Sequence, residues 1–133
     1  LPADEMPDDV CKIKAFGEAA LLKCMRKRHC DALNIYTYVA DIVLCLNPYM
    51  YLPQMVDIKE YPEQVIYRPG SNPSSYASAH FAYWGTRDEN SRLRNNSCIV
   101  SGESGSGKTV ACSFIVKYLA KLSTWRKKEL GED

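Results

Sequence analysis

Net charge, long apolar runs and paired-cysteine motifs are all missing from this sequence, and each lack removes a class of function. Seventeen Lys and Arg stand against sixteen Asp and Glu, for a formal charge of +1. No global field therefore draws the chain toward nucleic acid or anionic lipid. The longest purely apolar run, Ile42 to Leu46, is far too short to span a bilayer. The first residues are acidic and contain proline, unlike a secretory signal. Of the six cysteines, no two are spaced C-x-x-C, and His29 and His80 are the only histidines, so zinc has little support. The cysteines read as reduced thiols, with Cys45 and Cys98 inside apolar strands and Cys112 on a helix, buried as in a cytosolic protein. There is no internal repeat and no low-complexity tract.

What is present is an ordinary globular balance, 46% hydrophobic and 25% charged over 133 residues, one domain's worth at most. A start at Leu1 rather than Met is expected of a piece cut from a longer protein, or of a processed one. Asp4, Glu5, Asp8 and Asp9 make an acidic opening. Lys23, Arg26, Lys27 and Arg28 form one basic cluster and Arg126, Lys127 and Lys128 another. Both read as solvated helix ends that offset the helix dipole, with a binding patch as the alternative.

Along the chain, residues 1–15 read as an irregular lead-in. Phe16 to His29 predicts a helix whose apolar stripe is Ala19, Leu22 and Met25. Ile35 to Val39 is β-branched and aromatic, as strands prefer, and Ala40-Asp41 is a bend. Ile42 to Leu46 is continuously apolar, which suits a strand covered on both faces, and Asn47-Pro48 ends it. A stretch with Pro53, Pro62, Pro69 and Pro73 follows, with a short helix near Lys59 to Tyr67. Asn72-Pro73-Ser74-Ser75 opens a helix through Tyr76, His80, Tyr83 and Trp84, whose aromatic spacing reads as core packing. Thr86 to Asn96 is a surface turn and Ser97 to Val100 a short strand. A helix from Lys108 to Ser123 carries Ala111, Ile115, Tyr118 and Leu122 on one face, with Phe114 beside them. Residues 125–133 form a polar tail. The expected class is α/β, with Ile42 to Leu46 and Ser97 to Val100 in one central sheet left incomplete by this chain.

Between the last strand and the last helix lies Gly102-Glu103-Ser104-Gly105-Ser106-Gly107-Lys108-Thr109, which fits G-x-x-x-x-G-K-[ST]. Glycines let the backbone curl close to a polyphosphate, successive N–H groups make an anion nest, and the helix adds its positive end. Lys108 would reach the β- and γ-phosphates and the Thr109 hydroxyl would ligate Mg²⁺. A chance match in such a chain has a probability below about one per cent on average residue usage. The loop alone cannot complete hydrolysis, which needs an aspartate at the end of another strand and a group that positions water. No apolar run ending in Asp follows Thr109.

The upstream residues narrow the choice. Ile35-Tyr36-Thr37-Tyr38 is followed by Leu46-Asn47-Pro48-Tyr49 and Leu52-Pro53, then by Ser75-Tyr76-Ala77 and Ala82-Tyr83. Asn96-Ser97-Cys98-Ile99-Val100-Ser101 leads into GESGSGKT, and Val116-Lys117-Tyr118-Leu119-Ala120 follows it. This ordered set resembles the early part of the myosin motor head, where the stretches read IYTY, INPY, LP, IYA, EAY, NQSILISGESGAGKT and IQYLA. The resemblance runs from about Pro7 to Ser123. It implies an α/β P-loop fragment, with residues 16–124 a partial motor domain of an actin-based motor that uses ATP and Mg²⁺ in the cytoplasm, at the cytoskeleton. Asn47 and Pro48 would border the adenine, Gly102 to Thr109 would hold the phosphates, Ser104 would sit near the terminal phosphate, and Lys108 would be the catalytic cation. Actin, and light chains if any, would bind through regions absent from this chain, which alone should neither move actin nor turn over ATP. The sequence departs from the family at Met55, where tyrosine is usual. It departs again at Val110, Ala111 and Cys112, where Glu-Asn-Thr is usual, and at Trp84, where arginine is usual. A transporter-type P-loop ATPase and a decayed, non-catalytic motor segment are the alternatives.

Overall fold

The computed structural model describes residues 6–52, 72–86 and 95–129. The prolines 53, 62 and 69, the expected helix at Lys59 to Tyr67, Met55 and most of the Thr86 to Asn96 turn lie outside the described residues. The chain divides into two compact units. The first holds described residues 6–51 and 72–74, and the second holds 52, 75–86 and 95–129.

In the first unit, Asp9 starts a 3-10 turn at Val10–Lys12 by accepting the Cys11 N–H at 2.9 Å. Helix α1 spans Glu18–Arg26, with Glu18 in its first turn and Lys23 and Arg26 in its last, each where the dipole favours its sign. The chain continues into a π-helical turn at Lys27–Asp31. Of the expected stripe, only Met25 faces inward. Ala19 is exposed and Leu22 is 61% exposed. Ala20, Leu21, Cys24 and Met25 pack with Val10, Ile13 and Val39 instead. Those residues sit at i, i+1, i+4 and i+5, an equally good helical face, and the surface offered by Val10 and Ile13 chooses between the two.

Strands β1 (Tyr36–Val39) and β2 (Ile42–Cys45) form a two-stranded antiparallel hairpin, with Tyr36 opposite Cys45 and Val39 opposite Ile42. Ala40 takes a φ of 51° in the tight turn, and its N–H is held by the Asp9 carboxylate at 3.2 Å. Burial by itself would raise the Asp9 carboxyl. The N–H bonds from Cys11 and Ala40, with Lys12 nearby, outweigh that and hold it below its ordinary value. The lead-in is joined to the hairpin rather than loose. The Tyr38 N–H bonds to the Asp8 carbonyl at 2.7 Å and Asp9 bridges Tyr38 in parallel sense.

Two expectations fail here. Ile42 to Leu46 is not covered on both faces: Ile42 is 63% exposed, and Leu44 and Leu46 are also exposed. Nor does it share a sheet with Ser97 to Val100, which lies in the second unit with no ladder partner among the described residues. A short apolar run reads alike whether it is a doubly covered strand or the outer strand of a hairpin, because its cover is set by distant chain. The cysteine reading changes with it. Cys24 is buried, but Cys11, Cys30, Cys45, Cys98 and Cys112 are exposed.

Arg28 is a further correction. It is neither a solvated helix end nor part of a binding patch, being only 3% exposed. Its Nε donates to Thr37 Oγ1 at 2.8 Å and Nη2 to the Tyr36 carbonyl at 2.9 Å. Nη1 reaches the Pro7 and Met6 carbonyls and pairs with Asp8 at 3.0 Å. One guanidinium thus ties the lead-in, the π-helical turn and β1 together, and each of its three nitrogens donates to an acceptor, as a buried cation requires.

In the second unit, helices α2 (Ser75–Trp84) and α3 (Lys108–Glu129) pack through Tyr76 and Ala79 against Phe114, Ile115 and Tyr118. Val100, Leu119 and Leu122 border this core. Tyr76 lies 5.9 Å from both the Phe114 and Tyr118 rings, and His80 Nδ1 is 2.6 Å from the Tyr118 hydroxyl. The aromatic spacing of α2 is core packing, as its sequence suggests, and the inward face of α3 includes the expected Ile115 and Tyr118. Burial pushes the His80 imidazole below its ordinary pKa. Helix α3 runs past the expected end at Ser123 to Glu129. Among the described residues, no helix is long and apolar enough to cross a membrane.

Candidate functional site

The glycine-rich loop 102–107 is built where the extended segment 97–101 turns into α3. Val100 packs on the α2–α3 core, which fixes the chain just before the loop. The loop folds back at once, with the Ser106 N–H bonded to the Glu103 carbonyl at 3.2 Å. Gly105 and Gly107 take φ of 76° and 93°. A side chain at either would strain the backbone, so glycine here is a requirement of shape. Helix α3 then begins at Lys108, and the Ala111 N–H closes its first turn on the Gly107 carbonyl at 3.0 Å.

Lys108 does not extend into solvent. Its ammonium curls over the loop and donates to the Gly102 carbonyl at 2.7 Å and the Glu103 carbonyl at 2.6 Å. An ammonium has three N–H donors, so one remains for an incoming anion. Glu103, Ser104, Gly105 and Thr109 are exposed, and Ser106 and Gly107 are half-buried. No acidic residue stands in the first turn of α3, where Val110 is 48% exposed. The positive end of the helix is therefore not cancelled by a carboxylate of its own. A cation, a helix N-terminus and a tight glycine loop are joined within one short stretch, a combination that suits a polyphosphate. The Thr109 hydroxyl is a single hard oxygen, what a magnesium ion bound mainly by phosphate and water takes from a protein. Among the described residues, no group of three His, Cys, Asp or Glu could hold a metal by itself.

Gly102 through Thr109 thus form one continuous loop and helix start in the second unit. Asn47 and Pro48 belong to the first. There the Asn47 side-chain oxygen accepts the Tyr49 N–H at 2.9 Å, and Tyr49 takes a φ of 50° with its ring 85% exposed. Two contacts in the second unit escape sequence reasoning. One is the His80–Tyr118 pair. The other is Asn96, which read as the end of a surface turn and whose amide bonds to the Ala82 carbonyl of α2 at 2.9 Å. No local pattern announces a pairing between residues so far apart in sequence.

The profile of the myosin head (motor domain) family matches residues 7–132. This chain belongs to the myosin head family. It is 35% identical over 118 residues to unconventional myosin-IXa of Mus musculus, covering 87% of this chain and 4% of that protein. It is 35% identical over 115 residues to unconventional myosin-Ia of Homo sapiens, covering 85% of this chain and 10% of the relative. With the myosin-H heavy chain of Dictyostelium discoideum it shares 36% over 117 residues, covering 86% of this chain and 6% of the relative. The chain therefore spans a small part of the length of these myosins. Within the motor-head family, it is a segment made of helices and a small two-stranded sheet.

Proposed function

We propose that this myosin head segment supplies the phosphate-binding part of an actin-based motor ATPase, with ATP and Mg²⁺ as its ligands. The observation that carries the reading is the Lys108 ammonium held over a glycine loop at the N-terminus of α3. Residues 16–124 are the motor-domain portion, in an α/β fold of the P-loop type. The backbone N–H groups of Gly102 to Thr109 and the end of α3 hold the phosphates. Lys108 swings from the loop carbonyls toward the β- and γ-phosphate oxygens and offsets the charge that develops there, which is its catalytic role. Thr109 would give one oxygen to magnesium and Ser104 would lie by the terminal phosphate, and the family resemblance implies that Asn47 with Pro48 would border the base. Mg²⁺ held there would supply neutralisation of the phosphate charge. The aspartate and the water-positioning group of hydrolysis, and the surfaces for actin, come from other parts of the complete cytoskeletal protein. Family membership favours this over a transporter-type ATPase.

The test is Lys108→Ala in the full-length motor. A charge-assisted contact is worth about 1.5–3 kcal/mol, so ATP should bind roughly ten-fold more weakly or worse. Equilibrium titration with ATP measures it. Unchanged affinity refutes the assignment.

A further inference from the structure

Between α2 and the phosphate loop runs the segment 96–101, fixed at both of its ends. At the far end, Val100 packs on the core formed by Tyr76, Ala79, Phe114, Ile115 and Tyr118. At the near end is Asn96. Its Nδ2 donates to the Ala82 carbonyl in the last turn of α2 at 2.9 Å, and its Oδ1 accepts the N–H of Ser97 at 3.0 Å. The last carbonyls of a helix have no partner within it, so Asn96 satisfies one of them from outside. The fit is close. A Cβ placed on Gly85 would meet Asn96 Nδ2 at 2.5 Å. Gly85 itself bonds back to the Phe81 carbonyl at 2.9 Å, and its φ lies outside the left-handed region. A Cβ there would push aside the end of the exposed Asn96 side chain and stand 3.1 Å from the Phe81 carbonyl, so Gly85 leaves the amide its place.

We propose that Asn96 is a positioning residue for the phosphate loop, seated against α2 in a notch that Gly85 keeps open. The inference rests on the reading of Gly102 to Thr109 as a nucleotide site. Its physical basis is preorganisation. A loop that must present several N–H groups and the Lys108 ammonium at once binds best when its entry is already fixed. Residues 97–101 have no ladder partner among the described residues, so Asn96 and Val100 are what hold that entry to the helices. Releasing Asn96 leaves the core intact and frees only the path into Gly102.

The experiment compares ATP affinity and thermal midpoint in the full-length protein for Asn96→Ala, Gly85→Ala, the double variant, Asn96→Gln and Lys108→Ala. Asn96→Ala should weaken ATP binding about two- to ten-fold, the range of one modest hydrogen bond. Because Asn96 is exposed, the thermal midpoint should scarcely move. Gly85→Ala should weaken binding to a similar degree by displacing the amide. The double variant should be no worse than the weaker single one, since both remove the same contact. Asn96→Gln, which keeps the amide, should restore part of the affinity. If Asn96→Ala binds ATP like the parent while Lys108→Ala is weakened, or if the two single effects simply add, the positioning role is wrong and the nucleotide site stands. If Lys108→Ala also leaves ATP binding unchanged, the nucleotide reading itself has failed.

Discussion

Replacing Arg28 by alanine should unfasten the first unit, and the size of the effect follows from the contacts of its guanidinium. The bonds from Nε to Thr37 and from Nη2 to Tyr36 are both buried. Hydrogen bonds to a charged donor contribute about 1.5–3 kcal/mol each, which puts this pair at roughly 3–6 kcal/mol. The contacts with Met6 and Pro7 are partly buried and Asp8 is half exposed, so water can replace much of what they lose. Relaxation around the vacated space lowers the total further, and the expected cost is about 3–5 kcal/mol, the range for breaking a buried charged network. Hydrogen exchange on the intact protein reads it locally. The Tyr38 N–H is protected by the Asp8 carbonyl, which Arg28 helps to place. Exchange in β1 should quicken by about a hundred-fold or more if opening of the unit becomes 3 kcal/mol easier. Arg28→Lys should rescue little, because one ammonium cannot span acceptors on both β1 and the lead-in. A change smaller than about five-fold in β1 exchange for Arg28→Ala would refute the view that this side chain holds the lead-in to the hairpin.

Gly107→Ala forces an alanine to a φ of 93°, at a cost of about 1–3 kcal/mol, and should lower ATP affinity of the full-length motor; parental affinity would mean that the loop tolerates another shape. His80 is held below its ordinary pKa by burial, so its folded-state pKa lies under its unfolded one. Its contribution is complete above about pH 6.5 and is lost as pH falls through the folded-state value, because the unfolded chain then binds the proton better. Unfolding midpoints measured from pH 7.5 downward should show that loss, and His80→Gln should reduce it; an identical pH profile in the variant counts against it. Tyr118→Phe should cost about 0.5–1.5 kcal/mol by removing the hydroxyl from His80, measured as a lowered urea midpoint. Met55→Tyr should sharpen the preference for ATP over GTP modestly in competition binding, because one base-directed hydrogen bond is worth about 0.5–1.5 kcal/mol; a strong preference already present and untouched by the change would mean that other residues read the base.

How much was legible in the sequence varies with how local each feature is. Gly102 to Thr109 could be read because its chemistry is contiguous: eight neighbouring residues specify the turn, the cation and the helix start. The aromatic face of α2 and the Ile115–Tyr118 face of α3 could be read because their periodicity is set by helix geometry. The tight turn at Ala40-Asp41 and both strands of the hairpin also follow from short-range preferences. Family membership was legible for a related reason, since it rests on the order of short motifs along the chain and needs no knowledge of their positions in space.

Tertiary structure decided everything that depends on what lies opposite. The α1 sequence offers two comparable apolar faces, and packing on Val10 and Ile13 selects Cys24 over Leu22. Arg28 looks like its neighbours Arg26 and Lys27 in sequence, yet it alone of the three is buried, because the π-helical turn brings it to acceptors on Thr37, Tyr36 and the lead-in. The apolar run at Ile42 to Leu46 specifies a strand but not its cover, and in the fold it is the outer strand of a hairpin with Ile42 largely in water. Asn96 gains its role only when the end of α2 comes within reach of its amide. Propensity, turn chemistry and periodicity act between near neighbours and are written in the sequence; burial and long-range hydrogen bonds depend on surfaces brought together by folding, and no local pattern contains them.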